Sequence, residues 1–162
     1  IDFILEIEQE LIKKHGNIKL LIVGDGPERI KYEQYSEELD IASNVIFTGK
    51  VPWKEIPNYY NLADLFITAS TSETQGLTVL EAMASEVVPL CIDDEAFTTT
   101  VINDFNGKVF KNKEDAINDI IELYDSATNR LIETISGNEL GELVQKLNMA
   151  SGIFVTHSLN SG

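Results

Sequence analysis

Positive charge is scarce in this chain: twelve Lys and Arg stand against twenty-seven Asp and Glu, a net charge of −15. Nucleic acids are held mainly through Lys and Arg on phosphates, so nucleic-acid binding is excluded as a main role. The same balance disfavours this surface as the chief contact with anionic lipid. One cysteine, Cys91 in an apolar stretch, cannot form an internal disulfide, which suits a reducing compartment. His15 and His157 are the only histidines, and no His/Cys/Asp spacing suits a metal, so none is expected. No apolar run approaches the ~18 residues of a membrane span, and no charged-then-apolar signal sequence opens the chain. A cytoplasmic protein is expected. Its first residue is Ile1, and helical periodicity begins at once, as in a piece of something longer.

The length of 162 residues and an apolar fraction of 43% suit one soluble domain with a real core. Ile4, Ile7, Leu11 and Ile12 describe an amphipathic helix, acidic early and basic late, ended by Gly16. "IKLLIVG" follows, a short branched-chain run of the kind buried on both faces of a parallel sheet. The cycle repeats. A helix is expected over "PERIKYEQYSEELD" with Pro27 at its first position, a strand at "NVIFTG", a short helix at "WKEIPNYYNLA" and a strand at "DLFITAS". Then come a helix at "GLTVLEAMASE", a strand at "VVPLCID", a short helix or turn at "AFTTTVIN" and a strand at "GKVF". From Lys113 to about Leu147 the pattern is helical, with interruptions near Asn129 and at Gly137. The alternation predicts an α/β fold, a Rossmann-like doubly wound parallel sheet spanning 1–148. Residues 149–162 break the pattern, are only weakly strand-like and form an unassigned tail.

Ligands of such sheets bind beyond the carboxyl ends of the strands. Four segments leave those ends: "GDGPE", "GKVPW", "STSETQG" and "DDEAF". A helix opening near Gly76 presents unpaired N–H groups and makes an anion site, and a residue without Cβ lets a phosphate approach. Thr78 adds a hydroxyl. Glu81 lies about one turn in and leans back toward the helix mouth, where a ribose diol would offer it two hydroxyls. Glu73, in the loop before, would face the next part of an extended ligand.

Plainer readings compete. An acid early in a helix stabilises its dipole by roughly 0.3–1 kcal/mol with no ligand at all. "GDGP" lacks the G-x-G-x-x-G spacing, and no P-loop is present, so a tight turn is its default meaning. Asp93, Asp94 and Glu95 could suggest a receiver-like phospho-acceptor pocket, but no lysine at a later strand end is well placed to complete it. Trp53, Tyr59 and Tyr60 are expected to pack a helix rather than stack on a base.

Taken in order, "LLIVGDGPE", "NVIFTGKV", "ADLFITASTSETQGLTVLEAMAS" and "DFNGKVF" resemble the C-terminal, donor-binding half of GT-B glycosyltransferases of the retaining family 4. The likeness covers roughly residues 1–125. Its most specific element is the pair Glu73 and Glu81 with residues 74–80 between them, and "STSETQGLT" is most similar to bacterial diacylglycerol glucosyltransferases. The resemblance implies that Glu73 lies against the donor sugar as the catalytic carboxylate and Glu81 binds the ribose. It implies that Thr74 and Gln75 bind substrate and that the backbone at Gly76, Leu77 and Thr78 holds the diphosphate. Gly24, Asp25, Gly26 and Pro27, with Val51, would flank the nucleobase. The implied donor is a nucleotide sugar, UDP-glucose, used as substrate with no cofactor. The resemblance also implies a lipid or other hydroxyl acceptor and peripheral contact with the inner face of the cell membrane, mainly through an N-terminal half.

Two departures stand out. Thr74-Gln75 replaces the usual "GF" of "EGFG", which bears on sugar identity, and Glu86 stands where the family has glycine, at a position expected to need positive φ. The family's diphosphate-neutralising Arg and Lys follow a strand that would precede Ile1, and that strand would be central. Without them the chain is expected to bind donor weakly. The alternative class is a non-catalytic α/β module, either nucleotide-sensing or an interaction domain whose acidic face meets a basic partner.

Overall fold

The computed structural model describes residues 1–71, 76–133 and 153–157. Among the described residues six α-helices and six strands alternate for most of their length. In chain order they are α1 (Asp2–Lys14), β1 (Lys19–Val23), α2 (Arg29–Glu38), β2 (Val45–Phe47), α3 (Ile56–Leu62), β3 (Leu65–Thr68), α4 (Leu77–Ala84), β4 (Val88–Ile92), α5 (Glu95–Thr98), β5 (Lys108–Phe110), α6 (Lys113–Glu133) and β6 (Ile153–His157). The strands form one parallel sheet in the order β2-β1-β6-β3-β4-β5.

The burial of consecutive residues in β1 and β3 follows from cover on both faces, and strand alternation sends successive side chains into different cores. Leu20, Ile22, Leu65, Ile67, Leu90 and Phe110 pack with Ile4, Ile7 and Leu11 of α1 and with Ile117 and Ile120 of α6. On the opposite face Leu21, Val23, Phe66 and Cys91 meet Tyr60 of α3, Val79 and Ala82 of α4, and Phe97 of α5. This is the expected Rossmann-like doubly wound architecture.

Within the stretch left unassigned, Ile153–His157 forms the central strand. Its register runs from Lys19 opposite Ile153 to Val23 opposite His157, and Leu65 and Phe66 pair with Phe154 and Val155. The strand order matches the doubly wound series 3-2-1-4-5-6 when β6 is set in the first strand's place. The central position assigned by resemblance to a strand before Ile1 is thus held by a strand from the other end of the chain.

Smaller corrections concern helix ends. Pro27 does not open α2: Arg29 N–H donates to Gly26 O at 3.2 Å, so a turn precedes the helix and Glu28 is its N-cap. Helix α6 runs through Asn129, since one asparagine costs a helix only a few tenths of a kcal/mol, up to about 0.7. The interruption expected at Gly137 lies outside the described residues. Glu86 has φ 60° and closes α4, with its N–H on Met83 O and the N–H of Val87 on Ala82 O, both at 3.0 Å. A side chain in that left-handed conformation costs on the order of 1 kcal/mol.

One carboxylate is caught in the core. Glu8 of α1 is 1% exposed, and its Oε1 has no hydrogen-bond partner among the described residues. Burial pushes its pKa up to about 8, against a smaller opposing pull from the Lys19 charge.

Candidate nucleotide-sugar site

The parallel arrangement brings all the strand-end loops to one edge. After β1 and β2 the chain makes two glycine turns that face each other: Gly24 at φ 123° and Gly49 at φ 70° form an antiparallel bridge. Thr48 ties them, with Gly24 N–H donating to its Oγ1 at 3.2 Å and its own N–H donating to Ile22 O at 3.0 Å. Asp25 is exposed and accepts Gly26 N–H on Oδ1 at 2.9 Å, Pro27 is exposed, and Val51 is partly buried against the second core. The expected base-flanking residues Gly24, Asp25, Gly26 and Pro27 therefore share one corner of the edge with the Gly49–Val51 segment.

On the other side of β6, Gly76 is the N-cap of α4, at φ 57° and ψ 28°. A Cβ there would sit 3.1 Å from Ala96 O and 3.6 Å from the Phe97 ring, so both conformation and space favour glycine. Leu77 and Thr78 follow in the first turn, and the N–H of Val79 donates to Gly76 O at 3.1 Å. Leu77 is 56% exposed, whereas Thr78 is buried. Glu73, Thr74 and Gln75 lie outside the described residues.

Glu81 is exposed on the side of α4 that faces α3. Tyr60 O–H lies 3.2 Å from Glu81 Oε2 and 3.2 Å from Thr78 O, and its single proton serves one at a time. Glu81 borders a groove of about 640 Å³ with Trp53, Ile56, Pro57, Tyr60 and Ala84. Tyr60, a packing residue in the sequence reading, is buried and also orients Glu81. Its role had no local signal, because α3 and α4 are separate elements brought into contact by the fold of the sheet. Tyr59 packs partly against the second core, but Trp53 is 78% exposed and lines the groove instead of packing under a helix.

The rival acidic cluster is structural. Asp94 Oδ1 accepts Ala96 N–H at 2.9 Å as the N-cap of α5, and Asp93 N–H donates to Phe110 O at 2.8 Å. Burial pushes the Cys91 thiol up to about 12, which leaves it a packing residue and no nucleophile. Among the described residues no group of His, Cys, Asp and Glu could hold a metal, and no helix is long and apolar enough to cross a membrane.

A family model described as "Glycosyl transferases group 1" matches residues 1–136. The chain belongs to this family. Among group 1 glycosyl transferases it is 37% identical over 114 residues to the alpha-monoglucosyldiacylglycerol synthase of Streptococcus pneumoniae, covering 70% of this chain and 26% of that protein. The synthase of the same name from Acholeplasma laidlawii is 30% identical over 135 residues, covering 83% of this chain and 33% of its own length. The chain thus spans a quarter to a third of these relatives. The fold matches S. aureus TarM, solved with Fondaparinux, alpha-GlcNAc-glycerol and UDP, at a TM-score of 0.72 and 22% identity over 92% of this chain and 32% of TarM. As a group 1 domain with a doubly wound parallel sheet, it has the architecture of the C-terminal half of a GT-B fold.

Proposed function

We propose that this chain is the donor-binding half of a retaining glycosyltransferase that moves a hexose, glucose from UDP-glucose, to a lipid or other hydroxyl acceptor. The observation that carries the reading is the pairing of the Gly76 helix mouth with Glu81 one turn behind it, held by Tyr60 at the rim of a groove. The names of the two synthases, which are diacylglycerol glycolipid enzymes, favour glucose and a lipid acceptor. The UDP in the TarM structure favours a uridine donor.

In this reading the backbone N–H groups of Gly76, Leu77 and Thr78 meet the diphosphate, where departing negative charge is stabilised by fixed donors. Glu81 takes the ribose hydroxyls, and Glu73, with Thr74 and Gln75, faces the sugar. Gly24, Asp25, Gly26, Pro27 and Val51 enclose the nucleobase. An N-terminal half supplies the acceptor site and closes over the donor to exclude water. The enzyme works in the cytoplasm with peripheral contact at the inner face of the cell membrane.

The test is UDP-glucose hydrolysis by the full-length protein. Each of Glu73→Gln and Glu81→Gln should lower kcat/KM by about 10- to 100-fold, the worth of hydrogen bonds to a charged group. Rates near wild type in both would overturn the site.

A further inference from the structure

The two glycine turns that would enclose the base are joined by a side chain that the family motif does not explain. Arg29 opens α2 directly behind the Gly24–Pro27 turn, and its guanidinium reaches across to the other wall. A Cβ on Gly49 would lie 2.6 Å from Arg29 Nη1 and 3.7 Å from Cζ, so the guanidinium is seated where any other residue's side chain would begin. Gly49 is buried beneath it. Arg29 Nε donates to Glu33 Oε1 at 2.7 Å, and Nη1 lies 4.0 Å from Asp25 Oδ1. Asp25 in turn accepts Gly26 N–H at 2.9 Å. One planar group thus contacts the first turn through Asp25, the second through Gly49 and its own helix through Glu33.

This charge has two carboxylate neighbours, so the guanidinium is poorly suited to neutralise a diphosphate. Its shape matters more. A planar fork with several fixed donors can hold Glu33 through Nε while its Nη1 reaches toward Asp25 and points at the glycine, which an ammonium on a flexible stem cannot do. The residue adds a side-chain link to the Gly24–Gly49 bridge and the Thr48 tie.

We propose that Arg29 is a positioning residue for the nucleobase, clamping the Gly24–Pro27 turn to the Gly49–Val51 segment. The proposal rests on the donor-site reading above. Arg29 acts through the two turns, which would touch the base themselves, and a small error in their separation is costly because bound geometry tolerates little displacement.

The test compares wild type, Arg29→Lys, Arg29→Gln and Gly49→Ala in the full-length protein, with UMP and AMP as competing ligands and UDP-glucose as donor. Both Arg29 variants should raise donor KM about tenfold with kcat within about twofold, the pattern of lost uniform binding. The preference for UMP over AMP should narrow, acceptor KM should stay unchanged, and the melting temperature should move by only a few degrees. Gly49→Ala, which displaces the guanidinium while leaving Arg29 in place, should give the same narrowing. A donor KM and a UMP preference unchanged in the Arg29 variants, while Glu81→Gln still loses donor, would overturn the clamp alone. Failure of wild type to bind UMP would overturn the donor-site reading and the clamp with it.

Discussion

The two sides of the sheet's carboxyl edge are built on different plans. On the β1–β2 side, two positive-φ glycines are bridged, tied by Thr48 and covered by Arg29, so a fixed shape is offered with its polar groups largely engaged. On the β3 side, a helix mouth opens beside an exposed carboxylate at the rim of a groove. The first plan suits a flat ring that needs walls, and the second suits phosphate and diol groups that need donors and an acceptor. A nucleotide has these parts in this order, so the contrast itself is an argument for one ligand lying across β6.

Four substitutions probe that contrast, and the one with the largest expected effect lies away from both sides. Glu8 holds its proton in the folded chain up to a pKa of about 8, well above the ordinary carboxylate value, because burial disfavours the charge. Its contribution is therefore most favourable below about pH 4.5 and is lost as pH rises from there to about 8, at up to about 1.4 kcal/mol per unit. Glu8→Gln should raise stability at pH 7 by about 2–3 kcal/mol and flatten the pH dependence of urea unfolding between pH 5 and 8. Nucleotide binding should not change, which would separate global stability from the site.

Gly76→Ala strikes the β3 side. The left-handed φ and the approach to Ala96 O should cost about 1–3 kcal/mol in urea unfolding, and UDP affinity should fall while the Gly24–Gly49 corner stays intact. Tyr60→Phe is milder: removing the hydroxyl shared between Glu81 and Thr78 should cost about 1 kcal/mol of stability and raise donor KM severalfold with little change in kcat. A Tyr60→Phe enzyme that lost UMP preference instead would blur the distinction between the two sides. Glu86→Gly, at the far end of α4, should stabilise by about 0.5–1 kcal/mol and leave donor kinetics alone, as relief of a left-handed side chain.

The alternating elements were legible because parallel strands here are continuous branched-chain runs and the helices carry apolar stripes. The β6 position was not legible. A five-residue strand between Ser- and Gly-containing segments has little pattern of its own, and its place is set by pairing with β1 and β3, far away in sequence. At the site, Gly76 and Glu81 could be read from the chain because a helix mouth and the position one turn inside it are local geometry. Tyr60 and Arg29 could not, since each acts across elements brought together only by the sheet. Trp53 was misread for the same reason: an aromatic beside a helix promises burial, but the 3₁₀ turn at Trp53–Glu55 sets it at the rim of a groove.

The most direct test of a single donor spanning both sides is amide hydrogen exchange of the full-length protein with and without UDP. Slowed exchange in peptides covering residues 24–29, 49–53 and 76–82 together is the predicted result, with the stretch around Glu8 unaffected. Protection confined to one side of β6, or found only away from this edge, would contradict it.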